Sequence, residues 1–386
     1  MCAEKVPFFI PWITDEDKKA VLEALTSRWL TGGPRAREFE KMFARYLVTK
    51  HAIAVNSCTA ALHLAMRALG IGPGDEVIVP VFTFAATANA PIFVGAKPVF
   101  ADIDEKTFNI SPKGIQNKIT EKTKAIIVVH YGGQPCDMKE IMQIAKRHNL
   151  HVVEDCAHSL GAEYMNQKTG SIGTIGCFSF YPTKVITTLE GGMVTTNDEE
   201  IAKQIKILRE HGMTKGAFNR EKTATWYYDV VDLGYNYRLN EVQAALGISQ
   251  LKRIEEINKK RIEASHYYTH KLKEIKGIIL PYEAKDRTHV YHLYVLRVTE
   301  GYGINRDELY KKLSAKGIGL SVHYTPLHLL TFYKRNLGCK KGDFPIAEQI
   351  SREILSLPLF PLISKVQIDY VVKEISENRD VDTKMD

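Results

Sequence analysis

Lys184 ends the run Phe178-Ser179-Phe180-Tyr181-Pro182-Thr183, an apolar, strand-like stretch that breaks into a loop at the proline. Glu190-Gly191-Gly192 follows, and the chain extends again through Met193-Val194-Thr195-Thr196. Lysine is ordinarily a solvated surface charge. One preceded by proline and an apolar strand, and followed by a glycine pair, is held at a defined point; an amine kept from water has a lowered pKa and becomes a usable nucleophile. Upstream, Val152-Val153-Glu154-Asp155-Cys156-Ala157-His158 sets a carboxylate at the mouth of an apolar strand. Asp155 reads either as the N-cap of a following helix or as a fixed negative charge. One amine, one carboxylate and several small hydroxyl residues, each at an element's end, form the set that a pyridoxal phosphate (PLP) site requires. The lysine forms a Schiff base with the aldehyde and carries protons, and the aspartate keeps the pyridine nitrogen protonated so that the ring draws electrons.

Further residues fit the same chemistry, each with a plainer reading beside it. Asn56-Ser57-Cys58-Thr59-Ala60-Ala61 joins a strand to a helix. Ser and Thr there can be simple caps, but the free amides and dipole of a helix start also bind anions. With Ser179 donating from another strand end, the turn reads as a phosphate cup. Phe84 suits core packing by composition, or a ring lying flat on a pyridine. His158, three residues past Asp155, reads as a capping histidine or as a contact to the cofactor ring or its phenolic oxygen.

These residues need a scaffold that brings strand ends together. From about residue 36 to 210 helical and extended patterns alternate. Ala36–Leu47, Thr59–Leu69, Thr83–Phe93 and Met138–His148 have helical spacing; the segments 52–55, 76–79, 98–100, 125–129 and 151–153 are extended. The unbroken apolar run Ala125-Ile126-Ile127-Val128-Val129 suits a strand buried on both faces. Such alternation predicts a mainly parallel sheet covered by helices, whose ligands bind beyond the carboxyl ends of the strands. Asp155, Ser57-Cys58-Thr59 and Phe82-Thr83-Phe84 all fall just past a strand.

Leu239 to about His270 reads as one long, charge-rich helix leaving the large domain. Beyond it a second unit is expected. In that unit Tyr291–Val298 alternates like a half-exposed strand, Arg306–Lys316 and Ala347–Leu355 are helical, and the terminus is frayed. The division expected is a large domain over residues 1–250 and a small C-terminal domain over 251–386.

Length and composition bound the rest. With 386 residues, 45% apolar and 25% charged, the chain suits one large and one smaller globular domain. A formal net charge of +7 is dispersed, with no basic stripe carrying interleaved aromatics, so nucleic-acid binding is not expected. The six cysteines lack CxxC spacing or a paired Cys/His cluster, which argues against a metal site or a disulfide framework. The start has no signal-peptide pattern and no apolar run reaches membrane-spanning length, so a cytoplasmic protein without a membrane partner is expected.

The chain resembles the sugar aminotransferases of the DegT/DnrJ/EryC1/StrS family, a branch of the fold-type I PLP enzymes, from about residue 7 to 375. The resemblance rests on Trp29-Leu30-Thr31-Gly32-Gly33-Pro34, Asn56 through Leu62, Pro80-Val81-Phe82-Thr83-Phe84 and Glu154 through His158. Phe178 through Lys184, Leu233-Gly234-Tyr235-Asn236-Tyr237-Arg238-Leu239 and His323-Tyr324-Thr325-Pro326-Leu327-His328 also carry it. It implies an α/β fold: a large domain with a mainly parallel central sheet flanked by helices, plus a smaller α+β C-terminal domain.

By that resemblance Lys184 is the Schiff-base lysine and Asp155 the partner of the pyridine nitrogen. Cys58, Thr59 and Ser179 bind the phosphate, Phe84 stacks on the ring and His158 contacts the cofactor. Asn236 reaches across a homodimer interface to the partner's phosphate, and Trp12, Arg238, His323 and His328 line the substrate side. Two departures stand out. Position 158 is often Gln in nucleotide-sugar members, and His occurs in relatives acting on cyclitols or on other sugar-like ketones, which loosens the substrate class. Cys58 replaces a more usual Gly in the phosphate turn. A dehydratase offshoot carries His in place of the lysine, and Lys184 argues against that chemistry.

The expected activity is transamination, with PLP alternating with its amine form PMP, glutamate as donor and a nucleotide-linked 4-keto-6-deoxyhexose as acceptor. A keto-cyclitol or aromatic amino-acid aminotransferase and a catalytically silent PLP- or sugar-binding regulator are the rivals.

Overall fold

A computed structural model of the chain describes residues 5–214 and 216–379; the expected frayed terminus lies outside them. The described residues include twelve strands: β1 (His51–Val55), β2 (Glu76–Pro80), β3 (Lys97–Ala101), β4 (Thr123–Val129), β5 (His151–Asp155), β6 (Glu163–Tyr164), β7 (Gln167–Lys168), β8 (Ile175–Ser179), β9 (Gly192–Thr196), β10 (Ile278–Ile279), β11 (Tyr294–Val298) and β12 (Ile354–Leu357). Seven form the large sheet in the order β1-β9-β8-β5-β4-β2-β3. β3, β2, β4, β5 and β8 run parallel, while β9 is antiparallel to both β8 and β1. The reversal follows from the short Lys184–Gly191 excursion, which has no room for a crossover helix. The expected mainly parallel sheet is therefore present.

Three apolar clusters cover its faces, one of them formed by Ile78, Ile126, Val128 and Val152 with Met138, Ile141 and Ile144 of the helix Met138–His148. Leu62, Leu64, Val79, Ile127 and Val153 lie in a second, and Phe39, Phe43, Phe178, Phe180 and Met193 in the third. The helix Cys58–Ala68 is buried along most of its length because its Ala, Leu and Met residues leave little polar surface to solvate.

The small domain packs β10-β11-β12 against the helices Ile254–Leu272, Arg306–Ala315 and Lys365–Glu377. Three sequence expectations change here. The long helix from Leu239 is two helices, Glu241–Leu251 and Ile254–Leu272. They break at Lys252-Arg253, where Arg253 turns back to Asp17 at 2.7 Å. The strand expected to be half-exposed is buried at all five positions. Its alternation separates two cores: Leu293 and Val295 face the large domain's cluster, and Tyr294, Leu296 and Val298 the small domain's own. The last helix before the C-terminal one ends at Glu353, and Ile354–Leu357 enters the sheet.

Candidate active site

The carboxyl ends of β1, β2, β5 and β8 converge, as the parallel pairing requires. Asp155 ends β5, and no helix follows it, so the N-cap reading falls. Its Oδ2 accepts from the Thr87 hydroxyl at 2.8 Å and its Oδ1 from the Ala157 amide at 3.1 Å. Thr87 is itself bonded to Thr83 one turn earlier, at 2.9 Å. Burial pushes the Asp155 pKa above its ordinary value, against the lowering effects of Thr87, the Ala157 amide and Lys184. The result is a desolvated carboxylate whose charge the protein compensates only partly.

Lys184 lies past the end of β8, where its amide closes a turn onto the Tyr181 carbonyl. Burial lowers its pKa to about 8, opposed by the charges of Asp155 and the Cys58 thiol. Among the described residues its Nζ has no hydrogen-bond acceptor. An amine of this kind is unprotonated in about a tenth of molecules at pH 7, against fewer than about one in a thousand for a solvated lysine.

The helix Cys58–Ala68 starts beside this pair. Ser57 caps it by accepting from the Ala60 amide at 3.1 Å, which leaves the Cys58 and Thr59 amides without an intrahelical acceptor. Gly192 allows β9 to abut this turn, since a Cβ there would stand 2.5 Å from the Ser57 carbonyl oxygen. The Cys58 side chain turns away toward Asp155, 3.9 Å from Oδ1. Its thiol fills room that a glycine would leave empty, and the backbone donors are unaffected. Ser179, at the end of β8, is half-buried.

Phe84 caps the helix Ala85–Phe93 and is 62% exposed, so the core-packing reading fails. His158 is buried. Its Nδ1 accepts from the Gly132 amide at 3.4 Å, and Nε2 meets the Tyr324 hydroxyl at 3.1 Å. Burial, with Lys184 and His323 nearby, holds its pKa well below the ordinary value, so the ring is neutral.

Lys184, His158, His323 and Tyr324 line a cavity of about 190 Å³ closed by Phe8, Phe9, Leu357 and Leu359. Wider depressions of about 770 and 860 Å³ lie elsewhere on the surface and contain neither Lys184 nor Asp155. Chemistry, not size, identifies the site.

The four expected substrate-side residues divide. His323 lines the cavity, with Nδ1 2.9 Å from the Ser356 hydroxyl, and burial lowers its pKa to about 4. Trp12 flanks Lys184 through the neighbouring cleft with Pro182, its ring under Arg253 at 4.7 Å. His328 is not brought in. The short helical turn Leu327–Leu329 points it into the interior, where Nε2 pairs with Glu348 at 2.9 Å and the ring packs on Phe344. Arg238 lies behind edge strand β1, 3.9 Å from Glu210, and lines a separate cleft. Asn236 is exposed, and its carbonyl accepts from Asn56 at 3.4 Å.

Thr87, Tyr324 and His292 belong to the site but carried no distinct signal. The spacing of Thr83 and Thr87, one helical turn past a strand end, was the one clue available. Tyr324 and His292 sit inside runs read for other purposes.

Known proteins resemble this chain over nearly its whole length. Residues 11–376 match the model of the DegT/DnrJ/EryC1/StrS aminotransferase family. The chain is 46% identical over 375 residues to spore coat polysaccharide biosynthesis protein SpsC of Bacillus subtilis, covering 96% of each. It is 39% identical over 369 residues to GDP-perosamine synthase of Caulobacter vibrioides, covering 95% of this chain and 96% of that one. The putative sugar aminotransferase Spr1654 of Streptococcus pneumoniae in its PMP form superimposes with a TM-score of 0.90 at 34% identity, covering 97% and 98%. The same protein is known in a PLP form. PLP fits the residues present here: an unbonded amine, an undercompensated buried carboxylate and a pair of free helix amides.

Proposed function

This chain belongs to the DegT/DnrJ/EryC1/StrS aminotransferase family and is a PLP-dependent sugar aminotransferase; we propose that it moves an amino group from glutamate to a nucleotide-linked 4-keto-6-deoxyhexose. The observation that carries this reading is the convergence of Lys184, Asp155 and the free amides of Cys58 and Thr59 beside a cavity rich in neutral histidines. The name of the Caulobacter relative, a GDP-perosamine synthase, supports a nucleotide-linked acceptor.

PLP when bound supplies an electron-withdrawing ring that stabilises charge at the substrate carbon. The chain supplies the rest. Lys184 takes and returns the proton at that carbon, which a pKa near 8 suits. Asp155 holds a negative charge at the pyridine nitrogen, with Thr87 fixing its orientation. Cys58, Thr59 and Ser179 would hold the phosphate, Phe84 would lie against the ring and His158 would border it. Trp12 and His323 border the acceptor.

Exposed Trp226, Tyr227 and Leu233 form an apolar stretch that a second copy of the chain would cover. In that homodimer Asn236 reaches the partner's phosphate, and Arg238 joins the substrate side from the interface. The five cysteines among the described residues are all free, which supports a reducing, cytoplasmic setting. His158, in place of Gln, keeps keto-cyclitols and other sugar-like ketones as a second acceptor class.

The test is a screen with glutamate against nucleotide-linked 4-keto sugars and keto-inositols, read by 2-oxoglutarate formation. Turnover of nucleotide sugars is expected. Turnover confined to cyclitols would replace the acceptor, and no turnover with glutamate would remove the donor.

A further inference from the structure

His158 and Tyr324 form a pair whose hydrogen-bond direction is fixed from one end. The Gly132 N–H can only donate, so His158 Nδ1, at 3.4 Å, carries the lone pair. A neutral imidazole then bears its proton on Nε2, which faces the Tyr324 oxygen at 3.1 Å. His158 therefore donates and the phenol accepts.

The Tyr324 hydrogen must point elsewhere, and no other hydrogen-bond partner for it exists among the described residues. Burial holds the Tyr324 pKa well above the ordinary value, so the proton is retained. The segment is fixed from behind as well, because the Tyr131 hydroxyl donates to the His323 carbonyl immediately before it. The other polar groups facing His158 are Lys184, His323, Tyr131 and His292, whose ring centroid lies 4.3 Å away. None of them is bonded to Nε2.

We propose that His158 is a positioning residue that turns the Tyr324 hydroxyl hydrogen into the Lys184 cavity, where Tyr324 donates it to an oxygen of the bound sugar and so selects acceptors with an acceptor oxygen at that point. This rests on the sugar-acceptor reading above. It adds a named donor and a direction that neither side chain has by itself. His158 in its other tautomer would accept from the phenol and leave the cavity without this donor.

Two measurements on the PLP-loaded enzyme separate the pair from the substrate assignment. The first is ¹⁵N NMR of the imidazole in histidine-labelled protein, without substrate, from pH 5.5 to 8.5. His158, identified by its loss in His158→Gln, is expected to remain the neutral Nε2–H tautomer throughout. The Nδ1–H tautomer, or protonation within that range, overturns the proposal whatever the substrate.

The second compares half-reactions of Tyr324→Phe by stopped-flow absorbance of the cofactor. With glutamate the rate is expected to fall several-fold less than with the sugar. With a GDP-linked 4-keto-6-deoxyhexose kcat/KM is expected to fall by about tenfold, the value of one lost buried hydrogen bond. His158→Gln, which keeps an N–H toward Tyr324, is expected to lose less than His158→Leu. Equal losses in both half-reactions of Tyr324→Phe would mean a structural role and overturn the proposal. If wild-type enzyme does not accept that sugar, the substrate reading fails while the NMR result still decides the pair.

Discussion

Glu154 and Asp155 are consecutive residues of β5 and face opposite sides of the sheet, and the protein treats them in opposite ways. Glu154 is saturated. Its Oε1 accepts from the amides of Ile172 at 2.9 Å and Gly173 at 2.6 Å, and its Oε2 from Gly170 at 2.9 Å and His130 at 3.0 Å. Cys156 completes a cluster that resembles a metal site in composition, yet the carboxylate is already engaged by four donors. Asp155 has one hydroxyl, one amide and the weak, distant Cys58 thiol, and burial raises its pKa. A saturated buried carboxylate fixes loops; an undersatisfied one is a site awaiting a cation. On the proposed reading, neighbouring acids on one strand divide the work of holding the fold and of holding the cofactor.

Breaking the Asp155 side should cost activity and spare the fold. Lys184→Ala is expected to lower kcat by at least about a thousandfold, through loss of nucleophile and proton carrier together, with no fall in the melting temperature of the apoenzyme. Asp155→Asn keeps the Thr87 contact but removes the charge, and a loss of about 10²–10³ in kcat is expected. Rates near wild type for either variant would contradict the assignment.

Breaking the Glu154 side should do the reverse. Glu154→Ala leaves three buried amides and His130 without an acceptor, for about 3–5 kcal/mol of stability measured by denaturant unfolding. The folded fraction should retain kcat within a few-fold. Gly192→Ala forces β9 off the Ser57 carbonyl, and PLP affinity is expected to weaken by about tenfold in a cofactor titration, at about 1.4 kcal/mol.

The smallest effect is in pH. The Lys184 pKa is lowered from 10.5 to about 8, so the rate of PLP capture by apoenzyme should rise with pH to a midpoint near 8. Between about 8 and 10.5 the unfolded chain binds the extra proton, so apoenzyme stability should climb with pH across that window and level off above it. A capture midpoint near 10.5 would mean that the amine is solvated.

The parallel part of the fold was legible because its strands and helices differ in period and length, and the expected elements from residue 36 to 210 are present within a few residues. The small domain misled where one pattern served two cores. β11 alternates apolar side chains between two clusters, which looks the same as alternation between core and water. The helix break at Lys252-Arg253 carries no glycine or proline, and a tertiary pair with Asp17 fixes it, which local sequence cannot reveal.

At the candidate site, the convergence of Lys184 and Asp155 was legible because each residue type is costly at a strand end without a task. His328 was not, because a buried His–Glu pair and a substrate contact need the same side chain and differ only in direction. Tyr324 was hidden for a related reason: its role depends on the tautomer of a residue 166 positions away.

The most direct test of the account is borohydride reduction of the PLP-loaded protein followed by peptide mass mapping. A pyridoxyl group on the peptide that carries Lys184, absent from Lys184→Ala together with the yellow colour, is the predicted result. A pyridoxyl group on any other lysine, or retention of the colour in Lys184→Ala, would contradict it.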